Sequence, residues 1–199
     1  MNELLYAHVD APTPPQALID RAWYVKNNNI EGNVHRDLAR PSYRTLIKDG
    51  EPHVNAFTNT HLFNEEEAQW VYNNVTDKFN DFRISLTTIG NKFNGPHIDI
   101  TREFTLIYLL DKGGPDPATV FYREKGVEEL VKPRGYCVDD YSTLTPVIRI
   151  KPEVNRWHLV NARVLHSIEN IPDGRLSLQI SIDTAADLDR LKYHGRVYA

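Results

Sequence analysis

The chain contains 199 residues, of which 41% are hydrophobic and 25% are charged, proportions that are ordinary for a globular protein with its own core. Its formal net charge of −4 and isoelectric point near 6.1 give no electrostatic reason to expect nucleic acid or an anionic membrane as the main partner. Cys137 is the only cysteine, which excludes an intramolecular disulfide and favours a reducing, cytoplasmic location.

The N-terminal segment, residues 1–80, is predicted to be an extension of helical and irregular structure. Residues 1–11 lack the basic head and apolar core of a signal peptide, and no apolar run approaches the roughly 20 residues of a membrane helix. Thr13 followed by two prolines is typical of the cap and first turn of a helix. We therefore expect a short helix over residues 16–23.

The rest of this segment is rich in residues that interrupt regular structure. Glycine and proline predict turns near Gly32, Pro41 and Gly50, because these residues end helices and strands. The spacing of the neighbouring histidines is not typical of a metal site, so we expect them to have packing or surface roles. These histidines are His35, His53 and His61.

A second helix is predicted to begin after Asn64. Asparagine is a favourable N-cap, and the three glutamates that follow suit the positive end of the helix dipole. Ala68, Val71 and Val75 recur at helical spacing and form an apolar stripe that can face a core. The acidic triplet is interpreted as a solvated first turn.

From residue 81 onward the pattern changes to short strands separated by Pro, Gly, Asp and Asn. A strand core is expected over residues 81–182, followed by a C-terminal helix or tail over residues 183–199, all in one domain. Because no β-helix-β alternation is present, the pattern indicates an antiparallel sandwich or barrel. The predicted strands cover residues 83–89, 104–110, 119–123, 146–150, 157–160, 164–169 and 176–182.

His97-Ile98-Asp99 is the candidate metal motif. A His-x-Asp pair is weak by itself, since a chain of this composition contains roughly 0.6 such pairs by chance. A strand, however, points residues i and i+2 to one face, so His97 and Asp99 can share a metal. With His166 as a third ligand they form the two-histidine, one-carboxylate arrangement of non-haem Fe(II) oxygenases.

The turn Ile171-Pro172-Asp173-Gly174 follows His166 and is predicted to close a two-residue hairpin. In that register His166 lies opposite Gln179, and one polar face carries both of them together with Asn170, Arg175 and Ser177. Such a face is solvated in many sheets, but beside a metal ligand it is better interpreted as a pocket wall. Arginine suits bidentate capture of a carboxylate, and a serine adds a hydroxyl donor.

These motifs together resemble the Fe(II)- and 2-oxoglutarate-dependent dioxygenases, which are built on a double-stranded β-helix. The resemblance rests on His97-x-Asp99, on His166 and on Arg175-Leu176-Ser177 nine residues later. Residues 102–111, Gly113-Gly114 and residues 119–121 are similar to the prolyl-hydroxylase branch. The resemblance covers residues 83–182, and it implies a mostly β chain with flanking α-helices, a jelly-roll (cupin-like) barrel.

The resemblance also implies a set of roles. His97, Asp99 and His166 would bind Fe(II), and Arg175 with Ser177 would hold the distal carboxylate of 2-oxoglutarate. Arg102 stands where related enzymes often contact substrate. The implied reaction uses O₂ to hydroxylate an aliphatic carbon of an amino acid, a peptidyl residue or another small substrate, and it releases succinate and CO₂.

Two positions depart from the family pattern. Related enzymes often bind the cosubstrate through a tyrosine one strand before His-x-Asp, where this chain has Thr87 and Thr88. Another tyrosine often follows on the next strand, but Tyr108 is one residue out of phase and is predicted to point away.

Two alternatives stay open. A non-redox, metal-dependent cupin (an isomerase or lyase) would use a similar barrel, but cupins usually take three histidines and a glutamate. A non-catalytic barrel that binds a ligand is the second alternative.

Overall fold

The computed structural model describes residues 3–34 and 44–199, so the predicted turn at Pro41 and the histidine at position 35 lie outside the described residues. The described chain is mostly β, with flanking helices α1 (Gln16–Asn27) and α2 (Glu65–Asn74). The first seven strands are β1 Leu4–Val9, β2 Asn33–Val34, β3 Thr45–Lys48, β4 Glu51–Val54, β5 Thr58–Leu62, β6 Asp81–Thr87 and β7 Phe93–His97. The others are β8 Phe104–Asp111, β9 Ala118–Glu124, β10 Leu144–Ile150, β11 Trp157–Asn161, β12 His166–Glu169, β13 Leu176–Ile182 and β14 Tyr193–Tyr198.

Two antiparallel sheets form the core. The larger has the order β14-β1-β11-β8-β13-β6-β5-β2, and the smaller has the order β10-β9-β12-β7. Between β6 and β13 the chain crosses repeatedly from one sheet to the other, and only β9 and β10 follow each other within a sheet. This winding is the double-stranded β-helix, so the predicted fold class is confirmed.

The helices cover the outer face of the larger sheet. Phe82, Ile84 and Leu86 of β6 pack in one buried cluster with Leu18 of α1 and Val71 of α2. Successive residues of a strand face opposite sides, so every second residue of β6 and β13 points into the outer core. The residues between them point toward the smaller sheet, and those residues form the cavity described below.

The two helices differ in how well the sequence predicted their ends. α2 has the expected N-cap at Asn64, which accepts from the Glu67 amide at 2.9 Å. Glu67 in turn accepts from the Asn64 amide at 2.9 Å, which completes a capping box. α1 continues four residues past the predicted end, and Pro15 rather than Thr13 holds its N-cap position, without a side-chain cap. Among the described residues, no helix combines the length and apolarity needed to cross a bilayer.

The terminal segments contribute strands that the sequence did not predict. β1 pairs with β11 on one side and β14 on the other, and β5 pairs with β6. The expected C-terminal helix is a 3-10 turn over Ala185–Arg190, followed by strand β14. These strands cover backbone groups of β11 and β6 that would otherwise lie at the edges of the sheet, a requirement that local patterning does not record.

The predicted hairpin between His166 and Gln179 is wrong. β12 pairs with β7 and β9 in the smaller sheet, whereas β13 pairs with β6 and β8 in the larger sheet. The turn carries the chain between sheets, with Asn170 and Gly174 both at positive φ. Its backbone bonds to neighbouring loops, since the Asp173 amide donates to the Gly113 carbonyl at 2.8 Å.

Gly174 provides a test of this crossing turn, which places Arg175. Alanine there would keep φ at +72° and put its Cβ 2.7 Å from Ile89 Cγ1, whereas Gly126 at φ +77° has nothing within 4 Å. Both substitutions add backbone strain of about 1 kcal/mol or more, and only Gly174→Ala adds overpacking of about 1–3 kcal/mol. Urea unfolding should therefore show the larger loss for Gly174→Ala; equal losses would contradict the close packing.

Candidate metal centre and cavity

His97 and Asp99 are positioned by the residue between them. Ile98 is fully buried in the core behind the smaller sheet, which turns its two neighbours toward the space between the sheets. The backbone on either side is also held, because the Ile98 amide donates to Tyr136 at 2.8 Å and the Asp99 amide donates to Ala162 at 3.0 Å.

His166 begins β12 and lies directly across from His97 in the antiparallel ladder. The two imidazole centroids are 4.5 Å apart, and His97 Nε2 lies 3.5 Å from Asp99 Oδ1. One ligand atom from each of the three residues falls within 4.8 Å of the others. The structure therefore brings together the three residues that the sequence predicted as metal ligands.

Both histidines are held in the tautomer that suits a metal. Nδ1 of His97 lies 2.7 Å from the Gly95 carbonyl oxygen, and Nδ1 of His166 lies 2.9 Å from the Val164 carbonyl oxygen. A carbonyl only accepts, so each Nδ1 carries the proton and each Nε2 carries a lone pair. Such bonds from the second ring nitrogen orient metal-binding histidines.

Asp99 is ionised at neutral pH despite its position inside the barrel. Burial by itself raises the pKa of its carboxyl, but the hydrogen bond and charge of His97 and the charge of His166, both in their protonated, metal-free forms, together with Arg83, outweigh it and bring the pKa to about 2. A metal bound at Nε2 would take the place of the second imidazole proton. Arg102 Nε donates to Asp99 Oδ2 at 2.6 Å. A carboxylate and two imidazole lone pairs form a donor set that fits a divalent transition metal such as Fe(II).

The triad opens into a cavity of about 650 Å³, a size within the range of about 300–1,000 Å³ for small-molecule pockets. Eight serine and threonine residues line it, among them Ser85, Thr87 and Ser177. Phe57 is the single phenylalanine, tyrosine or tryptophan among the described lining residues. Most of the described lining residues therefore have a polar side chain, although carbon atoms make up about half of the wall.

Arg175 lies in this cavity with 4% of its surface exposed. Burial lowers the pKa of its guanidinium to about 10, so it stays charged at neutral pH. Nη1 donates to Thr119 Oγ1 at 3.1 Å, and no carboxylate lies within ion-pair distance of Arg175 among the described residues. A buried cation without an anion is costly, so this end of the cavity suits a bound carboxylate.

The other predicted site residues are distributed as follows. Ser177, Gln179 and Arg102 line the cavity, and Gln179 Nε2 donates to Ser177 Oγ at 3.2 Å. Asn170, which the hairpin register placed on the same face, instead donates to the Asp116 carbonyl at 3.1 Å outside the cavity. Tyr108 packs against Trp157 in the outer core, as its phase predicted.

The cavity residues that the sequence did not identify include Arg44, Arg83 and Thr119. The signal for Arg83 was present, because β6 alternates polar and apolar residues just as β13 does. No local signal could have identified Arg44 and Thr119, which reach the cavity only through the packing of distant segments.

A buried tyrosine–histidine pair lies behind Arg175. Nε2 of His158 donates to the Glu153 carbonyl at 2.6 Å, so its Nδ1 accepts from the Tyr6 hydroxyl. Burial, together with the positive charge of Arg175, lowers the pKa of His158 to about 4. The ring is therefore neutral in the folded protein and would be charged in the unfolded chain below about pH 6.5.

The sequence and the fold of the chain can both be compared with those of known proteins. No family model matches the chain, and no curated protein is similar to it. A Pseudomonas putida prolyl-4-hydroxylase is 12% identical with a TM-score of 0.46, covering 92% of this chain and 94% of that one. A 2OG-Fe(II) oxygenase family oxidoreductase from Burkholderia pseudomallei is 12% identical with a TM-score of 0.45, covering 83% and 77% respectively.

A third solved structure has a different activity. A Cellulomonas parahominis L-ribose isomerase is 12% identical with a TM-score of 0.37, covering 85% of this chain and 82% of that one. Because all three TM-scores are below 0.5, we assign no function from these likenesses. The function proposed below rests on the residues of this chain.

The neutral state of His158 predicts a pH dependence of stability. Between about pH 6.5 and pH 4 the unfolded chain binds the extra proton and the folded chain does not, so stability falls as pH falls through this window, by up to about 1.4 kcal/mol per unit. Urea unfolding at about pH 7, 5.5 and 4.5 measures it. His158→Gln should make the free energy of unfolding depend less on pH. His194→Gln, which changes an exposed residue, is the control. The same pH dependence in both variants would refute a neutral His158.

Proposed function

We propose that this protein is an Fe(II)- and 2-oxoglutarate-dependent dioxygenase that hydroxylates an aliphatic carbon. The observation that carries the proposal is the presence, in one polar cavity, of a His-Asp-His cluster and a buried arginine with no acidic partner among the described residues. The cluster alone fits several metal enzymes. Arg175, which has no acidic partner among the described residues, favours a carboxylate ligand at its own end of the same cavity.

His97, Asp99 and His166 would hold Fe(II), because one ligand atom from each converges from neighbouring strands of the smaller sheet and the loop after β7. The iron, with 2-oxoglutarate and O₂, supplies the oxidising chemistry when bound. Three protein ligands leave the other coordination positions for the cosubstrate and O₂.

The remaining residues bind and orient. Arg175 offers a planar fork of N–H donors to the distal carboxylate of 2-oxoglutarate, and Thr119 fixes one nitrogen of that fork. Ser177 accepts its bond from Gln179, so its hydroxyl hydrogen can point to the same carboxylate. Arg102 holds one oxygen of Asp99, which leaves Oδ1 directed toward His97 and the metal.

The substrate is proposed to be a small molecule or a peptidyl residue that enters the cavity beside the metal. The cytoplasm remains the proposed compartment, because the one cysteine of the chain gives no use for an oxidising environment.

The cupin alternative requires a different ligand set. Three histidines and a glutamate are usual there, whereas the cluster found among the described residues contains two histidines and an aspartate. The usual cupin ligand set also does not by itself account for the buried Arg175. These two observations support the oxygenase.

The iron site predicts a spectroscopic signal. Under anaerobic conditions, the Fe(II)-loaded protein should develop a visible charge-transfer band when 2-oxoglutarate is added, and it should slowly release succinate once air is admitted. His97→Ala and Asp99→Ala should abolish the band, because each removes a ligand of the cluster.

His194→Ala is the matched control for these substitutions, since His194 lies on the outer strand β14 and is half-exposed. Its band should equal that of the unsubstituted protein. No band in the unsubstituted protein, or an undiminished band in the two ligand variants, would exclude the proposed site.

The role of Arg175 is tested by separating cosubstrate affinity from iron affinity. Arg175→Gln should weaken 2-oxoglutarate binding by about ten-fold or more, because charge-assisted bonds to a buried carboxylate are lost, and the affinity for Fe(II) should hold. Titration of the visible band measures the first and anaerobic calorimetry the second. Arg156→Gln, which changes an exposed arginine, is the control; the same affinity for 2-oxoglutarate in both variants would remove Arg175 from its assigned role.

A further inference from the structure

The cavity contains more positive charge than a metal site and one cosubstrate require. Four arginines line it, Arg44, Arg83, Arg102 and Arg175, and Asp99 is the one acidic residue among the described lining residues. Arg44 is paired with Asp139. If Asp99 serves a metal and Arg175 a cosubstrate, the charges of Arg83 and Arg102 still need an explanation.

Arg83 and Arg102 lie together at one end of the cavity. Arg102 donates to Asp99 Oδ2 at 2.6 Å and to Ser181 Oγ at 3.2 Å. Ser181 in turn donates to Asp81 Oδ1 at 3.1 Å, and Asp81 Oδ2 receives Arg83 Nη1 at 3.3 Å. This continuous chain of contacts links the two guanidinium groups. Arg102 contacts the proposed metal ligand Asp99 directly, and the charge of Arg83 is close enough to help lower the pKa of Asp99.

The opposite end of the cavity belongs to Arg175. The Thr87 amide donates to the Arg175 carbonyl, whereas Arg83 pairs with Gln179 across the same two strands. Arg83 is therefore four residues from the level of Arg175, a separation of roughly 13 Å along the sheet. The two arginines therefore enter the cavity from different levels of the sheet.

Arg83 is poorly satisfied for a buried cation. Only 4% of its surface is exposed, and its Nε has no hydrogen-bond partner among the described residues. Among the described residues its single ion-pair contact, 3.3 Å to Asp81, is longer than the roughly 2.7–2.9 Å of a strong charge-assisted bond. A guanidinium has five N–H donors, so most of the binding capacity of Arg83 is unused.

We propose that Arg83 and Arg102 form a second anion-binding end of the cavity, and that the substrate is a small polar molecule carrying a carboxylate or a phosphate group. Arg83 is the specificity-determining residue of this end. The inference rests on the proposed function for the assignment of Asp99 to the metal and Arg175 to 2-oxoglutarate.

The composition of the wall between the two ends agrees with such a substrate. Ser85 and Thr87 on β6 and Ser177 and Gln179 on β13 present hydroxyl and amide groups to the cavity, and these groups hydrogen-bond to polar ligands. A single phenyl ring, that of Phe57, lines the described wall. A large apolar substrate would leave the polar groups without partners, at a cost in binding free energy.

The metal strengthens this end. Asp99 and Asp81 balance Arg102 and Arg83 when no cation is present. A divalent ion on Asp99 would add two positive charges beside them. Because the distal carboxylate of 2-oxoglutarate pairs with Arg175, only its other carboxylate opposes the metal, and one positive charge remains uncompensated near Arg83 and Arg102. The Arg83 end then keeps its demand for an anion.

The test measures binding of two probe anions, acetate and methyl phosphate, to the protein loaded anaerobically with Fe(II) and 2-oxoglutarate, with acetamide as the neutral match for acetate. Calorimetry should show binding of at least one anion and weaker or no binding of acetamide. Tighter acetate binding identifies a carboxylate substrate, and tighter methyl phosphate binding identifies a phosphate monoester. Equal affinity for acetate, methyl phosphate and acetamide would overturn the proposal.

Variants of Arg83 and Asp81 connect the binding to the named residues. Arg83→Gln should weaken the preferred anion by about ten-fold, and Arg83→Lys should retain part of the affinity because it keeps the charge. Asp81→Asn should tighten anion binding, because it removes the carboxylate that competes for Arg83. This variant tests the role of Arg83 even if Arg83→Gln fails to fold. If the anion binds to the metal alone, its affinity will be the same in the Arg83 and Asp81 variants as in the unsubstituted protein. That result would overturn the inference.

The visible band that forms on adding 2-oxoglutarate tests the proposed function independently of the probe anions. If the band forms and no probe anion depends on Arg83, only the second anion-binding end is refuted. If anion binding depends on Arg83 and no band forms, only the dioxygenase assignment is refuted.

Discussion

A strand sends successive side chains to opposite faces, and the larger sheet of this protein uses that rule to separate two environments. Helices α1 and α2 cover one face and require apolar residues there, such as Leu178 and Ile84. The alternate residues must then point into the space between the sheets, where Arg83, Ser85 and Ser177 are found. The polar cavity is thus a consequence of how the outer core is packed.

Buried polar groups are stable only when partners satisfy them, and the cavity meets this requirement incompletely. His97 and His166 donate to backbone carbonyls, which fixes their tautomers and leaves a lone pair on each Nε2. In the part of the chain that the structure describes, the Arg175 side chain has one hydroxyl oxygen as its hydrogen-bond partner. The histidines are prepared for a cation and the arginine for an anion, and the combination is what distinguishes this cavity from a structural polar network.

The sequence predicted the fold class correctly, and it predicted a group of three candidate ligands that the structure brings together, because both predictions depend on local rules. Turn residues and alternation mark strands, and a His-x-Asp pair on a strand shares a face whatever the strand pairs with. His166, Arg175 and Ser177 line one cavity, as predicted. The prediction nevertheless assumed a β12–β13 hairpin register that does not exist. Residues of β12 and β13 that were expected to be hydrogen-bonded neighbours instead face each other across the gap between two sheets.

What the sequence determined by itself is the chemistry available on each strand face: two imidazoles, a carboxylate and an arginine at spacings that allow one site. The tertiary structure decided which faces meet. It also placed Arg83 and Arg102 at one end of the cavity through Ser181 and Asp81, and it recruited β1 and β14 to the larger sheet. Side-chain parity is set within a strand by the backbone, whereas pairing between strands joins backbone groups that are common to all residues, so the order of strands follows only from packing of the whole chain.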